Sequence, residues 1–180
     1  MKKVFDSPQV EIDQSAQIVF VADLFASEYV GGAELTSEAL IQHSPFKIQK
    51  LKSRDVTIDI LKAGLSKYWV FVNFAELNPN LIPSIIANLE YSILEYDYKY
   101  CRFRSPEKHK SSTGNDCDCS QNNNGKLVSS FFLGAKSLFW MSEKQKNRYL
   151  DLFPFLTQTN NVVLSSVFDE RTLSFLYSLK

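Results

Sequence analysis

Apolar and polar positions follow one another in blocks along this chain, and the blocks predict alternating strands and helices. Short runs rich in β-branched and aromatic residues predict buried strands. These runs cover residues 17–25, 46–52, 67–74, 91–97, 137–141 and 161–168. The clearest of them, "KYWVFVNF", is apolar on both faces, which is typical of a parallel sheet covered by helices.

The segments between these runs carry apolar residues at helical spacing, and several begin with a residue that caps helices. Ser53 is predicted to cap the second helix, and Ser142 with Gln145 forms a capping box for a later one. Asp169 is predicted to cap the last helix. Three residues of that helix are expected to face the core, namely Leu173, Leu176 and Tyr177.

Strands that alternate with helices predict a parallel sheet joined by right-handed crossovers. We therefore expect an α/β fold, a Rossmann-like three-layer αβα sandwich with a mostly parallel six-stranded sheet and a long cysteine-containing loop. A single domain is predicted over residues 17–180, after an N-terminal extension over residues 1–16. Residues 98–126 are polar and rich in turn-forming residues, which predicts an excursion from the sheet.

Composition narrows the classes of function. The 180 residues include 20 basic and 20 acidic side chains, a balance that argues against sequence-independent binding of nucleic acid. No apolar run reaches the roughly 18 residues that a membrane-spanning helix needs, and the start "MKKVFDSPQVEID" lacks the apolar core of a signal peptide. We therefore expect a cytoplasmic protein with no transmembrane segment and no nucleic-acid partner.

Gly31 and Gly32 lie in the turn between the first strand and the first helix. Unpaired N–H groups and the positive end of the helix dipole meet at such a turn, which suits a phosphate or a carboxylate. A second interpretation is that the glycines only relieve a tight turn, and both interpretations remain open. The G-x-G-x-x-G fingerprint is absent, which argues against NAD.

Asp23 and Asp97 follow two strands whose carboxyl ends lie near the middle of the predicted sheet. They either converge as paired carboxylates or have separate structural roles. In the second case Asp97 caps a loop and Asp23 hydrogen-bonds the glycine turn, and this is the interpretation we favour.

Cys101, His109, Cys117 and Cys119 all lie in the polar excursion. Three thiolates and one imidazole form a known ligand set for structural zinc. Binding energy from a metal would order a segment that has no core of its own. Free thiols, or a disulfide between Cys101 and one of the other cysteines, remain open as alternatives.

Several segments in order carry a resemblance to a known family: a strand ending in Asp, "GGAE" and a helix, then "ILEYDYKYC", "MSEKQ" and "VVLSSVFDERTLSFL". This set resembles the N-terminal, acceptor-side domain of GT-B-type, family-4-like glycosyltransferases. Tyr96 stands where that family commonly has His before Asp.

The resemblance implies a function. Gly31 and Gly32 would face the diphosphate of a nucleotide-sugar donor, while Glu34 and Asp97 would lie near a hydroxyl acceptor, with Asp97 as the catalytic candidate. In the family a second Rossmann-like domain holds the donor, so this chain alone would be inactive. The competing hypothesis is a non-catalytic binding module with a structural metal loop.

Overall fold

The computed structural model describes residues 10–179 and contains one six-stranded sheet in which every strand is parallel to its neighbours. Its strands are β1 (Ile18–Ala22), β2 (Ile48–Lys52), β3 (Tyr68–Phe71), β4 (Glu90–Glu95), β5 (Ser137–Trp140) and β6 (Asn160–Val163). The strand order is β2-β1-β3-β4-β5-β6. The predicted Rossmann-like α/β fold is confirmed, and the sheet is wholly parallel.

Helices connect the strands and cover the sheet. They are α1 (Gly32–Gln42), α2 (Ile58–Ala63), α3 (Ile82–Asn88), α4 (Pro106–Thr113), α5 (Asn123–Leu133), α6 (Glu143–Leu152) and α7 (Glu170–Ser178). Two hydrophobic clusters lie on opposite faces of the sheet. In β1, Val19 and Val21 belong to the larger cluster, whereas Phe20 and Ala22 belong to the smaller one, because successive side chains of a strand point to opposite faces.

Aromatic side chains dominate the larger cluster. The Phe131 ring from α5 packs edge-on against Phe71 and Phe74, with centroids 5.2 Å away in each case, and stacks on Tyr91 at 5.0 Å. The Tyr91 hydroxyl donates a 2.7 Å hydrogen bond to the Phe131 carbonyl, so the buried phenol keeps a polar partner. These contacts fix α5 against the centre of the sheet.

The order of the strands reverses between β1 and β3. Ligands of open parallel sheets bind outside the carboxyl ends of the strands at such a switch point. The segments that follow β1, β3 and β4 therefore meet at one edge of the sheet, which we call the carboxyl edge.

Two capping predictions are confirmed, and one is wrong. The Ser142 hydroxyl accepts from the Gln145 N–H, and the Asp169 carboxylate accepts from the Thr172 N–H. Ser53, however, does not cap α2; that helix begins four residues beyond the predicted start and is capped by Thr57. The physical reason is that the Ser53 hydroxyl donates to Asp23 instead.

The last helix differs from its prediction as well. Asp169 caps α7 as expected, but Leu173, Leu176 and Tyr177 are exposed, and α7 has no buried residue. The helical spacing of apolar residues predicts that a helix has an apolar face. It does not show whether another part of the chain packs against that face.

The N-terminal predictions lie partly outside the described residues. The predicted extension over residues 1–16 and the predicted lack of a signal peptide both include residues 1–9, which the structure does not describe. These two predictions therefore stay predictions. Within residues 10–179, no helix has both the length and the apolar character needed to cross a bilayer.

Phe131→Ala tests the packing of α5. Phe131 is 0% exposed and contacts three other aromatic rings, so we expect its truncation to lower the free energy of unfolding by about 3–5 kcal/mol. Phe175→Ala is the matched control, because Phe175 is 62% exposed and its loss should cost within about 0.5 kcal/mol. Urea denaturation measures both, and equal losses would contradict this description of the core.

Candidate functional site

The polar excursion leaves the sheet after β4 and is more regular than the sequence indicates. Tight backbone hydrogen bonds join Tyr98, Cys101 and Arg104 directly after the strand. Ser105 then caps α4 by accepting from the Lys108 N–H, and Gly114 ends that helix in the left-handed region, with φ +78°. The turn and the helix together bring His109 back towards Cys101.

The segment between α4 and α5 carries the other two cysteines, Cys117 and Cys119. A short 3-10 helix covers Cys119–Gln121, and Asn122 caps α5 by accepting from the Gly125 N–H. A β-carbon on Gly125 would lie 2.2 Å from the Cys119 carbonyl oxygen. Only glycine therefore allows the first turn of α5 to pack so closely against the segment that carries Cys119.

The four predicted metal ligands converge. The ligand atoms of Cys101, His109, Cys117 and Cys119 all lie within 4.8 Å of one another. The His109 Nδ1 atom is 3.7 Å from the Cys101 sulfur and 3.4 Å from the Cys119 sulfur. In a tetrahedral centre with Zn–S near 2.3 Å and Zn–N near 2.0–2.1 Å, ligand atoms stand roughly 3.5–3.8 Å apart. The two His109–sulfur distances are close to that spacing, and the whole group is compact enough to hold a metal ion.

The surroundings of the cluster also suit a cation. Cys101, His109 and Cys119 are buried, and none of the three cysteines forms a disulfide. Burial raises the pKa of the Cys117 thiol to about 12, so a bound cation would be needed to hold it as a thiolate near neutral pH. The Cys119 N–H hydrogen-bonds the Cys117 sulfur, an interaction that favours the thiolate. This buried group could hold a metal ion.

A second group of polar side chains lies beside this cluster at the carboxyl edge. Glu95, the last residue of β4, is almost completely buried. One of its oxygens accepts from the Tyr149 hydroxyl at 3.0 Å and from the Lys99 N–H at 3.1 Å, and the other lies 3.1 Å from the Lys99 ammonium. Burial raises the pKa of Glu95 to about 7, although the charge of Lys99 opposes this shift.

Asp97 continues this network towards solvent. Its carboxylate accepts from the Lys99 ammonium at 3.3 Å and from the Arg104 Nε at 2.7 Å. A second nitrogen of the Arg104 guanidinium donates to Asn73 at 3.2 Å, and a third lies 3.9 Å from Asp23. The two aspartates thus converge on one guanidinium, and no described contact joins them to each other.

The hydrogen bonds of Asp23 differ from those that we favoured from the sequence. Its carboxylate accepts from the backbone N–H groups of Ala75 and Glu76, at 3.0 and 3.1 Å, and from the Ser53 hydroxyl. It therefore closes the switch point between β1 and β3 and does not hydrogen-bond the glycine turn. Those backbone donors lie about fifty residues away in sequence, so the local pattern did not reveal them.

The glycine turn lies at the start of α1. Gly31 is the N-cap residue, and a β-carbon there would lie 2.5 Å from a Glu34 carboxylate oxygen and 2.8 Å from the Tyr29 ring. Gly32 is exposed, and a β-carbon there would meet nothing within 4 Å. A side chain at Gly31 would therefore have to displace the ends of the Glu34 and Tyr29 side chains, while the space beside Gly32 is open to a ligand.

Glu34 lies on the buried side of the first turn of α1. Burial, with a smaller contribution from the charge of Glu34, raises the pKa of Tyr96 to about 12. The Tyr96 and Ser37 hydroxyls are 2.9 Å apart, so a hydrogen bond links α1 to the residue that precedes Asp97.

Sequence reasoning missed Glu95, Lys99 and Arg104. A signal was present for Glu95, because a carboxylate inside an otherwise apolar strand is buried and needs a partner. The partners themselves were not predictable from spacing, because they depend on the path of the excursion.

No family model matches the sequence, and no curated protein or solved structure matches it.

Glu95→Gln tests the buried carboxyl. A folded-state pKa raised above the ordinary 4.5 means that this group's stabilising contribution is complete below about pH 4.5 and is lost as the pH rises to about 7. We expect the free energy of unfolding of the parent, relative to Glu95→Gln, to fall by up to about 3 kcal/mol across that interval. Urea denaturation at a series of pH values measures it, with exposed Glu170→Gln as the control. Parallel curves for parent and Glu95→Gln would contradict the buried, raised-pKa carboxyl.

Proposed function

We propose that this domain is the acceptor-side half of a glycosyltransferase that moves a sugar from a nucleotide-sugar donor to a hydroxyl acceptor. The observation that carries the proposal is the open start of α1 at the carboxyl edge of a Rossmann-like parallel sheet. Gly32 is the first residue of an eleven-residue helix and lies at its positive end. It has no side chain, and the space that a β-carbon would occupy is empty, so a ligand could approach the backbone N–H. The resemblance of the "GGAE" turn to family-4-like enzymes supports the same assignment.

The proposed roles follow from charge and exposure. The N–H groups at Gly31 and Gly32 stabilise the diphosphate, which gains negative charge as its bond to the sugar breaks. The acceptor oxygen bonds to the anomeric carbon, and its proton passes to the departing diphosphate. Asp97 accepts a hydrogen bond from the acceptor hydroxyl. Because Lys99 and Arg104 hold the two Asp97 oxygens in place, we assign this carboxylate to orienting the hydroxyl. Glu34 supports the turn.

A second Rossmann-like domain would provide the other wall of the cleft and bind the nucleotide. The alternative is a non-catalytic binding module that uses the same edge of the sheet. The ion pairs of Asp97 favour that alternative, because each carboxylate oxygen already accepts a hydrogen bond from a cation of this chain.

Sugar transfer is the direct test. We expect residues 1–180 alone to give no turnover with a panel of nucleotide sugars and hydroxyl acceptors, and we expect turnover once a donor-binding domain is joined to them. Multiple turnover by residues 1–180 alone would overturn the half-enzyme proposal. Ligand binding without transfer in either form would favour the binding module.

Gly32→Ala separates a ligand-binding glycine from a conformational one. Because the space above Gly32 is empty and alanine favours helices, the variant should be as stable as the parent or slightly more stable. Donor binding by the two-domain enzyme should weaken by about tenfold, equivalent to about 1.4 kcal/mol. Calorimetric titration with the nucleotide sugar measures it, and unchanged affinity would restrict the glycine to a conformational role.

We also propose that the metal is zinc and that its role is structural. Three thiolates and one imidazole are the ligand class of closed tetrahedral zinc sites, which keep no open position for a substrate. Because Cys101 follows closely after β4 and Cys119 lies directly before α5, the ion would hold both ends of the excursion against the sheet. Nucleotide-sugar chemistry needs no step at this ion.

Elemental analysis of protein purified without chelator tests the zinc assignment. We expect about one zinc per chain and a loss of most of it in Cys119→Ser and His109→Asn, because three remaining ligands bind zinc more weakly than four. His43→Asn is the matched control, since His43 is the C-cap residue of α1, its ring hydrogen-bonds the Ala39 carbonyl, and it is not one of the four clustered residues. A metal-free parent, or a Cys119→Ser variant with as much metal as the parent, would contradict the site.

A further inference from the structure

A cavity of about 260 Å³ opens at the carboxyl edge, next to the metal cluster. One wall is apolar and includes Phe74, Leu77, Ile82 and Leu127. The volume is just below the range of about 300–1,000 Å³ that is usual for drug-sized ligands, so the cavity suits a small molecule. It is distinct from the glycine turn, none of whose residues line it.

The other wall of the cavity is cationic. Lys99, Arg102 and Arg104 line it, and among residues 10–179 no acidic side chain does. Lys99 and Arg104 are already paired with carboxylates. Arg102 is exposed and has no ion pair within the described chain, so its guanidinium is available to an anion. The first turn of α5 also reaches the cavity at Asn124 and adds the positive end of a helix dipole.

The cluster of Cys101, His109, Cys117 and Cys119 lies beside these arginines. Arg102 and Arg104 are located between the ligands Cys101 and His109 in sequence, and the Phe103 ring packs edge-on against the His109 ring at 5.2 Å. The Arg102 guanidinium lies over the same Phe103 ring, 4.8 Å from its centroid. A chain of contacts therefore runs from the metal ligand to the unpaired cation.

Arg104 carries a further sign of a built site. Its backbone lies in the left-handed region, with φ 57°, which is unusual for a residue other than glycine. Strain of this kind persists where the surrounding structure holds it, and it is concentrated at ligand-binding sites. Hydrogen bonds to Asp97 and Asn73 hold the guanidinium at the cavity wall.

We propose that this cavity binds a small organic anion, with the charged head group on Arg102 and an apolar body against the Phe74 side, and that the metal cluster holds Arg102 in place. The head group is a phosphate or a carboxylate. The proposal goes beyond sugar transfer, because binding requires neither a donor nor a second domain.

Binding of three probes to the metal-loaded protein tests the proposal. Phenyl phosphate and phenylacetate share an apolar ring and differ in their anionic head, whereas benzyl alcohol is the neutral analogue. Chemical-shift titration in ¹⁵N-labelled protein should give saturable binding of at least one anionic probe, at least tenfold tighter than benzyl alcohol. The tighter of the two anions identifies the head group. Equal binding of the neutral analogue, or no binding of either anion, overturns the proposal.

Arg102→Gln locates the head group. Because Arg102 is exposed, the variant should fold and keep its metal, and we expect its affinity for the tighter anion to fall at least fivefold. Lys108→Gln is the matched control, since it removes an exposed cation from the same excursion away from the cavity, and its affinity should stay within twofold of the parent. Equal affinities for Arg102→Gln and the parent overturn the assignment of the head group.

Reversible removal of the metal tests the coupling. Protein stripped by a chelator should bind the anion at least fivefold more weakly, and added zinc should restore the affinity. Unchanged affinity in stripped protein that retains its circular dichroism overturns the role of the metal. If stripping unfolds the protein, the comparison of Arg102→Gln with Lys108→Gln in metal-loaded protein still decides whether the cavity binds the anion.

Discussion

Ordering a polar segment costs conformational entropy, and the chain between β4 and α5 must meet that cost with few apolar side chains of its own. Fixing the backbone costs about 1–2 kcal/mol per residue. The excursion offsets part of this by burying Tyr100, Cys101 and Cys119 in the main core, with His109 also buried, and a metal bound by the cysteines and the histidine would supply more. The cavity, the arginines and the position of α5 all depend on that arrangement.

A buried carboxylate imposes the second constraint. Glu95 is desolvated at the end of a central strand, where one oxygen accepts hydrogen bonds from Tyr149 and the Lys99 N–H, while the other has the Lys99 ammonium 3.1 Å away but no hydrogen-bond partner. Lys99 also forms an ion pair with Asp97, and Asp97 forms a second ion pair with Arg104. A chain of ion pairs therefore runs from the buried Glu95 to the partly exposed Arg104. The position of each charged side chain at the carboxyl edge depends on its more deeply buried neighbour.

The fold was predictable from sequence because buried parallel strands are apolar on both faces, as "KYWVFVNF" shows. The four residues that could hold a metal were predictable because cysteine and histidine are rare in this chain and stand out within a polar segment. The partners of Asp23 were not predictable, since they are backbone N–H groups at the end of another strand. The cavity was missed for a related reason: Arg102 gains its role only through the turn that Cys101 and Arg104 form.

The contact between Gly125 and Cys119 joins two parts of the molecule that would otherwise be independent. Helix α5 begins against the Cys119 carbonyl, and further along it carries Phe131 into the centre of the core. A short helix cannot shift along its axis at one end and stay fixed at the other. The consequence is coupling: any opening of the excursion that moves Cys119 away from Gly125 also disturbs the packing of α5, so its cost includes part of the core.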